Sequence, residues 1–300
     1  MKLNNSIKIR FSAFLLLLVF LLTFCSCNVN ISFNENSGKE FQKGMLNVHF
    51  LDVGQGDSIF IELPNEKTML IDAGENYHGE GIKSYIADCG YSKIDYLVAT
   101  HPHSDHIGSM SYIVKNMDIG SIYMPKAAAN TKTYENLLES ISNKGLRVTS
   151  AKVGLTIANE SEYTIDVVAP VTFDEKDLNN CSAVIKLTYK DNSFLFTGDA
   201  ETEELETITD EISADVLKIG HHGSVTSTTE EFLNAVNPLY AVISAGEGNS
   251  YGHPHQETLD LLEKFGCEVY RTDIDKTVVF SSDGKTIVVK SGEQSIKKVG

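Results

Sequence analysis

Basic residues are scarce in this sequence. Lysine and arginine contribute 25 of the 300 residues against 41 aspartates and glutamates, which gives a formal net charge of −16 at pH 7. A protein that holds nucleic acid through many phosphate contacts is usually basic, so this balance argues against tight, non-specific nucleic-acid binding. It leaves room for a local anion site, because two divalent metal ions would bring about four positive charges to one cleft.

Cysteine is also scarce, with five residues in the chain. Beyond the N-terminal region only Cys89, Cys181 and Cys267 remain, and no two of them form a C-x-x-C pair. The sequence therefore predicts neither a disulfide framework nor a structural zinc site. Free, buried thiols are the expected state, and one disulfide is the alternative that an exported protein would allow.

The N-terminal apolar run is too short to predict a permanent membrane span. Residues 11–24 are apolar apart from Ser12 and Thr23, whereas a spanning helix needs about 20 residues. Three basic residues and no acidic residue precede this run, as in a secretory signal peptide. We expect residues 1–26 to be that signal; its removal would take away three positive charges and change the net charge from −16 to −19.

The end of the run resembles the lipobox of bacterial lipoproteins, in which a small residue precedes a cysteine that becomes lipidated. Cys27 follows Ser26 and fits this pattern better than Cys25, which follows Phe24. The expected product is a lipoprotein on the outer face of the cytoplasmic membrane, held by several acyl chains, with residues 27–44 as a polar tether. A cleaved, secreted protein and an uncleaved anchor are the alternatives.

From residue 45 the sequence alternates between β-rich runs and helical patterns, and neither an interior linker nor a short-period repeat divides it. This alternation predicts an α+β sandwich that forms a single domain over residues 45–300. We expect strands at 45–51, 58–63, 68–71, 94–99, 121–124, 163–168, 183–189, 193–196, 216–219, 241–244, 268–270, 277–280 and 286–289, and helices at 79–89, 107–116, 133–142, 202–209, 229–236 and 256–265.

The densest group of potential metal ligands lies between a predicted strand and a predicted helix. Residues 101–106 read HPHSDH, which places His101, His103, Asp105 and His106 in one short segment. Such a loop can turn these side chains toward one point, and imidazole with carboxylate favours zinc, manganese or iron. The sequence predicts two divalent metal ions here, zinc or manganese; the alternative is a surface loop that is rich in histidine by chance.

This segment resembles the H-x-H-x-D-H signature of the metallo-β-lactamase superfamily, whose αββα sandwich is then the expected fold. The resemblance implies that His101 and His103 bind one metal ion, whereas Asp105 and His106 bind the other.

Three further residues match the same family in order along the chain. The resemblance implies that Asp72 orients the metal loop, that Asp199 bridges both metal ions, and that His222 is the last ligand. Taken alone, an aspartate at a strand end is as readily a turn former or a helix cap. The three together, in this order, favour the family.

A closer similarity is to the extracellular metallo-hydrolase domain of ComEC competence proteins, proposed to be a nuclease, and a related one is to phosphorylcholine esterases. It covers roughly residues 45–290, and the segments that carry it are Val53–Ser58, Asn179–Ser182, Thr197–Asp199, His221–Ser224 and Tyr251–His255. ComEC proteins also have a multi-spanning channel region that has no counterpart in this chain, so a role as the DNA channel is not expected.

The first metal site departs from the wider superfamily, because no histidine lies between residues 107 and 220. The ComEC-like subgroup has an asparagine at about the place of the missing ligand, and Asn180 matches it. An amide oxygen is a weaker zinc ligand than imidazole and suits manganese better. The resemblance thus implies a first site that is labile or filled only together with substrate.

The same resemblance suggests substrate contacts at His221, Ser224, His253 and His255. His253 and His255 lie on a Gly/Pro loop before a predicted helix, where a histidine could contact a phosphate or protonate a leaving group. His253 is the candidate for that role, and a loop that only caps the helix is the alternative.

Asp57, His49 and His78 complete the group of notable polar residues. Asp57 follows the segment Gly54-Gln-Gly56, which is more often a turn than a phosphate cradle, and could face the site or cap the turn. His49 alternates within a strand and His78 lies in a Gly-rich loop, so neither is expected to bind metal.

The expected reaction is hydrolysis by water that the two metal ions activate, with Asp105 or Asp199 accepting its proton. A phosphodiester substrate, either DNA or a cell-envelope phosphodiester, follows from the ComEC-like segments rather than from the ligands. Hydrolysis of another ester, a lactone or a lactam on the same dinuclear site is one alternative, and a non-catalytic, metal-stabilised binding protein is another. A nuclease should also carry a basic patch beside the metal ions.

Overall fold

The structure is a computed structural model and describes residues 44–173, 176–293 and 296. The predicted signal peptide, Cys27 and nearly all of the tether lie outside these residues. The strands are β1 (Leu46–Phe50), β2 (Ile59–Glu62), β3 (Thr68–Ile71), β4 (Lys93–Val98), β5 (Asp118–Met124), β6 (Val148–Ser150), β7 (Leu155–Asn159), β8 (Tyr163–Ala169), β9 (Val184–Tyr189), β10 (Asn192–Phe196), β11 (Val216–Lys218), β12 (Tyr240–Ile243), β13 (Glu268–Arg271), β14 (Thr277–Ser282) and β15 (Ile287–Glu293).

The helices of the described residues are shorter and more broken than the periodicity predicts. They are α1 (Gly79–Asp88), α2 (Ser104–Ile107), α3 (Met110–Asn116), α4 (Lys132–Asn143), α5 (Thr202–Leu205), α6 (Glu230–Val236), α7 (Gln256–Phe265) and α8 (Thr272–Asp275), with 3₁₀ turns at Asn179–Cys181 and Gly220–Gly223.

Two sheets form the centre of the domain. The order of the first is β15-β14-β1-β2-β3-β4-β5-β6, and that of the second is β13-β12-β11-β10-β9-β8-β7. In each sheet an antiparallel part joins a parallel part. The parallel pairs are β3 with β4, β4 with β5 and β5 with β6 in the first sheet, and β10 with β11, β11 with β12 and β12 with β13 in the second.

Three apolar clusters show how the layers pack. The central cluster combines side chains of both sheets, such as Val48 and Phe50 with Leu187 and Phe194. A second cluster packs the other face of the first sheet against α1, α3 and α4, and a third packs the second sheet against α6 and α7. Alternation along each strand supplies one apolar face to the sandwich and one to the helices. The predicted αββα sandwich in a single domain is confirmed.

Several local predictions were wrong. The helix expected at 107–116 is two helices, α2 and α3, and the one expected at 202–209 ends at Leu205. The short strands β6 and β7 were not predicted. Cys89, Cys181 and Cys267 form no disulfide within the described part of the chain, and of these three only Cys181 is fully buried. Among the described residues, no helix combines the length and apolar character that crossing a bilayer would require.

Candidate metal centre and its cavity

The predicted ligands gather where the carboxyl ends of parallel strands from both sheets meet. Asp72 follows β3 and residues 101–106 follow β4, while Asp199 follows β10 and His222 follows β11. Because β3 runs parallel to β4, and β10 to β11, the side chains that follow each pair lie at one edge of their sheet. The two edges are in contact, since Asp105 Oδ2 lies 3.2 Å from His222 Nε2.

Asp72 orients the metal loop through a buried hydrogen-bond network. Its Oδ1 accepts from the backbone N–H of Thr100 at 2.8 Å, and its Oδ2 accepts from the Thr100 hydroxyl at 2.6 Å. The same Oδ2 lies 2.7 Å from His106 Nδ1, which therefore carries the proton and leaves Nε2 to face the site. Asp72 has a left-handed backbone with φ of 59°, a strained conformation that is typical of functional positions.

The loop before Asp57 packs closely against the metal segment. A Cβ atom on Gly56, where φ is 126°, would lie 2.2 Å from the backbone oxygen of Asp105, so only glycine allows this approach. The next residue, Asp57, donates its backbone N–H to that same oxygen at 3.2 Å. Gly56 thus positions the two loops relative to each other, a role more specific than the simple turn that its sequence suggested.

Four side chains converge at the floor of the site. Within the described residues, Asp105, His106, Asp199 and His222 each offer one ligand atom, and these atoms all lie within 4.8 Å of one another. Asp199 Oδ2 is 3.2 Å from His106 Nε2 and 3.4 Å from His222 Nε2. Asp105 and His106 are in the first turn of α2, whose N-cap is His103, rather than on a free loop.

The electrostatics of this cluster suit a cation. Burial alone would lower the pKa of His106, but the carboxylates of Asp199, Asp105 and Asp72 hold it well above its ordinary range. Burial would raise the pKa of Asp199, and the neighbouring His106 and His222 keep it well below its usual value. The carboxylates that attract protons to these imidazoles would attract a divalent cation in the same way.

Two buried atoms show that the residues fit a metal ion. His106 Nε2 and Asp199 Oδ1 are shielded from solvent and have no hydrogen-bond partner among the described residues. Native structures rarely leave such atoms unsatisfied, so each calls for an explanation. A metal ion at the centre of the cluster would supply the missing partner.

His222 is fixed by its backbone and by its second ring nitrogen. Its Nδ1 donates to the carbonyl oxygen of Ser244 at 2.9 Å, which directs Nε2 toward Asp105 and Asp199. His221 and His222 both have left-handed backbones, with φ of 47° and 52°. Two strained residues in succession turn the chain sharply after β11 and bring the ring of His222 into the site.

His101 and His103 lie at the side where the first metal ion is expected. His101 Nε2 is 3.0 Å from His103 Nδ1 and 3.9 Å from Asp199 Oδ2. Burial and the neighbouring His106 keep the pKa of His101 well below its ordinary value, so its ring is neutral. The Thr100 hydroxyl lies 3.1 Å from His101 Nδ1 and can accept its proton, which leaves Nε2 for a ligand.

Asn180, the residue that the resemblance suggests for the first metal, turns toward its neighbours. Its Oδ1 accepts from the backbone N–H of Glu201 at 3.0 Å, and its Nδ2 donates to Asp177 at 2.8 Å. The adjacent Asn179 lines the cavity instead, and its buried Oδ1 has no hydrogen-bond partner among the described residues. The ligand role of Asn180 stays a prediction, and the geometry favours Asn179 for a contact in the cavity.

A buried ion pair supports the centre from behind. Lys218, at the end of β11, is fully buried, and its Nζ lies 2.6 Å from Asp57 Oδ2 and donates to the Gly198 carbonyl at 3.2 Å. Asp57 Oδ1 is 3.5 Å from His222 Nδ1. Burial would raise the pKa of Asp57, but Lys218, His222 and His106 together lower it. Asp57 therefore lies behind His222 and does not line the cavity. A lysine within an apolar strand was the sequence signal for its partner.

The four suggested substrate contacts lie at different depths. His221 Nδ1 is 2.9 Å from Glu201 Oε1, and the ring of His253 is 5.4 Å from that of His221. His255 Nδ1 accepts from the backbone N–H of Val225, and Ser224 contacts the Thr226 hydroxyl at 3.1 Å. Of the four, His221 and His253 line the cavity, while His255 and Ser224 serve the loops around it.

One cavity of about 670 Å³ opens above this floor. The sequence did not point to several of the residues that line it, namely Gln55, Ala128, Ala129, Asn130, Thr131 and Leu178. Gln55 links two loops of the rim, because its Oε1 accepts from the backbone N–H of Gly246 at 3.1 Å. Small loop residues such as Ala128 carry no chemical pattern that a sequence could reveal.

Comparison with known proteins shows which family the chain belongs to. The chain is 33% identical to ComE operon protein 3 of Bacillus subtilis over 253 residues, which cover 78% of this chain and 32% of that protein. It is 30% identical to Competence protein ComA of Neisseria gonorrhoeae, over 76% of this chain and 31% of that protein. A shorter match of 74 residues is 34% identical to Ribonuclease J of Mycoplasma genitalium and covers 22% of this chain and 13% of that protein. The chain thus spans about a third of the length of its competence-protein relatives.

Solved structures share the fold. Igni18, a metallo hydrolase from Ignicoccus hospitalis, matches with a TM-score of 0.52 at 15% identity, over 78% of this chain and 98% of that one. CmlA, a diiron β-hydroxylase from Streptomyces venezuelae, matches with a TM-score of 0.51 at 17% identity, over 78% of this chain and 53% of that one. The family model of the Metallo-beta-lactamase superfamily matches residues 51–247. This range contains every predicted metal ligand. The chain belongs to the metallo-β-lactamase superfamily and is a metal-dependent hydrolase of that fold.

Proposed function

We propose that this hydrolase cleaves phosphodiester bonds. The observation that carries the proposal is the cluster of Asp105, His106, Asp199 and His222, whose unpartnered buried atoms lie beneath one open cavity. The metal ligands would suit a phosphodiester, a lactam or a thioester equally well, so they do not select the substrate. The similarity to competence proteins and to a ribonuclease favours the phosphodiester.

The residues that would hold the metal ions have distinct roles. His106, His222, Asp105 and Asp199 would hold the second ion, and His101 and His103, together with Asp199, the first. Bound divalent ions would polarise a phosphoryl oxygen and lower the pKa of water toward neutrality.

The remaining steps belong to side chains of this chain. Asp72 and the Ser244 carbonyl fix the tautomers of His106 and His222, so that each imidazole keeps its Nε2 toward the centre. Asp105 is in the first turn of α2, lines the cavity, and is the carboxylate placed to accept a proton from attacking water. Its pKa, which burial would raise, is lowered by His106 and His222, so it is ionised at neutral pH.

The cavity also limits the kind of substrate. Among the described residues none of the side chains that line it is lysine or arginine. The described part of the cavity wall therefore lacks the basic patch that is expected beside the metal centre of a nuclease. We propose a substrate that presents one phosphodiester at a time, in place of a long duplex held through many phosphates.

Turnover of a substrate panel tests the proposal. Protein loaded with manganese or zinc is tested on bis-p-nitrophenyl phosphate, a single-stranded oligonucleotide and nitrocefin. We expect hydrolysis of the phosphodiesters, and loss of it in Asp105→Ala without unfolding. Clear nitrocefin turnover beside inert phosphodiesters would overturn the proposal.

We propose further that the protein acts outside the cytoplasm, attached to the membrane through Cys27. The support is the signal-like sequence before Cys27. Membrane fractionation of cells that express the full chain should recover the wild type with membranes and Cys27→Ala in the soluble fraction. Equal distribution of the two proteins would contradict lipidation.

A further inference from the structure

Tyr251 is the most exposed large hydrophobic side chain of the cavity rim. Its side chain is 67% exposed, and it lines the same cavity as the metal cluster. Its ring stacks on that of His253, with centroids 5.8 Å apart and planes at 23°. The ring of His253 lies 6.3 Å from that of His222. Tyr251 thus lies at the mouth of the cavity, and only the ring of His253 separates it from the predicted metal ligand His222.

The loop that carries Tyr251 is fixed by one asparagine. Asn249 Oδ1 accepts from the backbone N–H groups of Tyr251 and His253, each at 3.1 Å. Its Nδ2 donates to the carbonyl oxygens of Gly246 and His253, at 2.9 Å and 2.5 Å. These four bonds use the two donors and both lone pairs of the amide. An exposed ring on a fixed loop can bind a flat partner with little loss of conformational entropy.

The rest of the rim favours a neutral, flat group over a charged one. No lysine or arginine among the described residues lines the cavity, and Leu178, Ala128 and Ala129 add apolar surface to it. The wall is therefore unsuited to binding further phosphates along a chain. Neutral side chains such as Gln55, Asn130 and Asn179 can add hydrogen bonds, and the exposed ring of Tyr251 adds a face for stacking.

We infer that Tyr251 is the stacking platform for one nucleobase of a nucleotide phosphodiester, the base lying on its exposed face while the phosphate reaches the metal centre. This inference rests on the proposed phosphodiesterase function and names the substrate class of that site. A base lies one sugar away from its phosphate, in keeping with a platform at the mouth and a reaction centre at the floor. Every base has a π face, so the platform selects nucleotides without selecting a sequence.

The test measures binding separately from turnover. Calorimetry on the manganese-loaded full chain compares thymidine 5′-monophosphate with 2-deoxyribose 5-phosphate, which lacks the base, and with phosphocholine. The base should strengthen binding to the wild type by roughly tenfold, and Tyr251→Ala should remove that gain while leaving the affinity for the base-free ligand unchanged. Tyr251→Phe should retain the gain, because it keeps the ring.

Leu239→Ala is the matched control, since Leu239 is 61% exposed and lies away from the cavity. It should bind all three ligands as the wild type does. Equal affinity of the wild type for the two sugar phosphates, or an equal loss for both in Tyr251→Ala, would overturn the inference. The inference would also be overturned if phosphocholine bound more tightly than 2-deoxyribose 5-phosphate while thymidine 5′-monophosphate did not. That result would assign the ring of Tyr251 to a quaternary ammonium group through cation–π attraction.

Turnover of thymidine 5′-p-nitrophenyl phosphate is then measured on the same preparations. If the base-dependent affinity disappears in Tyr251→Ala although no phosphodiester is hydrolysed, the proposed function fails and the nucleobase subsite stands. If phosphodiesters are hydrolysed but the base adds no affinity, the proposed function stands and the subsite fails.

Discussion

Two buried histidines in this molecule contact a carboxylate at nearly the same distance, but only one has a ring atom that calls for a metal ion. His106 Nδ1 lies 2.7 Å from Asp72 Oδ2, and His49 Nε2 lies 2.9 Å from Glu62 Oε1. Each belongs to a group whose ligand atoms lie within 4.8 Å of one another; in the second group the third member is Cys89.

The difference lies in the other ring nitrogen. His49 Nδ1 is 2.9 Å from the Tyr85 hydroxyl, so both of its nitrogens are hydrogen-bonded within the layer between the first sheet and α1. His106 Nε2 has no hydrogen-bond partner among the described residues and faces Asp199 at the cavity floor. A buried histidine–carboxylate pair is therefore weak evidence for metal by itself. An unsatisfied atom among converging carboxylates is stronger evidence.

The largest effect is expected from the bridging carboxylate. Asp199→Asn keeps the shape of the side chain and removes its charge, so the cluster should lose bound metal, and activity should fall by more than the roughly 10–100-fold typical of outer partners of metal ligands. Metal content by mass spectrometry and turnover of bis-p-nitrophenyl phosphate are the measurements. Glu62→Gln, in the His49–Glu62 pair, is the control, and this variant should bind as much metal as the wild type. Equal metal loss in both variants would show that the two histidine–carboxylate pairs do not differ in metal binding.

A smaller effect is expected from the residue that orients His106. Asp72→Ala removes the acceptor of the Nδ1 proton but no predicted ligand, so metal affinity should weaken by about 10–100-fold. Competition with a chromophoric chelator measures this change. A variant with unaltered metal affinity would show that packing alone fixes the ring of His106.

For the hydrogen-bonded pair of His49 and Glu62, we expect a loss of stability without a loss of metal. His49→Leu leaves Glu62 and Tyr85 without their buried partner, so the free energy of unfolding should fall by about 1–3 kcal/mol. The metal content and kcat of the folded fraction should match the wild type. Denaturant unfolding gives the first quantity, and loss of one bound metal ion would show instead that His49, Glu62 and Cys89 form a metal site.

The smallest effect is expected from His253, a histidine outside both pairs. Burial and the nearby His221, His222 and His255 lower its pKa to about 4, so the ring is neutral at pH 7 and gains a proton only as the pH falls toward 4. We therefore expect His253 to meet the substrate as a neutral ring at pH 7, and its role as proton donor to a leaving group stays a prediction.

The pH profile of kcat/KM checks this point. His253→Asn should lower activity by much less than the 10²–10⁴-fold that loss of a general acid costs, and it should leave the profile above about pH 5 unchanged. Loss of a limb near neutrality in this variant would restore His253 as the proton donor.

Much of the metal centre could be predicted because its chemistry is concentrated in short segments. HPHSDH places four ligand candidates together, and Asp72, Asp199 and His222 each follow a strand that the β-rich pattern predicts. The parallel pairing that brings these strand ends together was not predicted; the resemblance to the family grouped the three residues with the metal segment, and the structure shows the pairing.

The remaining features depend on orientation, which periodicity does not specify. Asn179 and Asn180 are adjacent in a 3₁₀ turn, and the fold of this turn decides that the amide of Asn179 faces the cavity. The strands β6 and β7 are short and mostly exposed, so they lack the apolar alternation that reveals a strand. At the break between α2 and α3, the backbone N–H of Ser109 donates to the Gly74 carbonyl at 3.2 Å instead of bonding within a helix. Gly108 allows this close approach, because a Cβ there would lie 2.6 Å from the backbone N of Asn76.

The meeting of the two sheet edges at the metal cluster has a consequence for folding. Asp105 and His222 are separated by 117 positions in the chain. Asp105 follows β4 of the first sheet, whereas His222 follows β11 of the second. A metal ion bound by both would tie the two halves of the sandwich together, as a covalent cross-link does, and would be lost when the sheets separate. Thermal unfolding should therefore depend on the concentration of free metal, and a chelator should lower the melting temperature of the whole domain in the way that a reductant does for a disulfide-bonded protein.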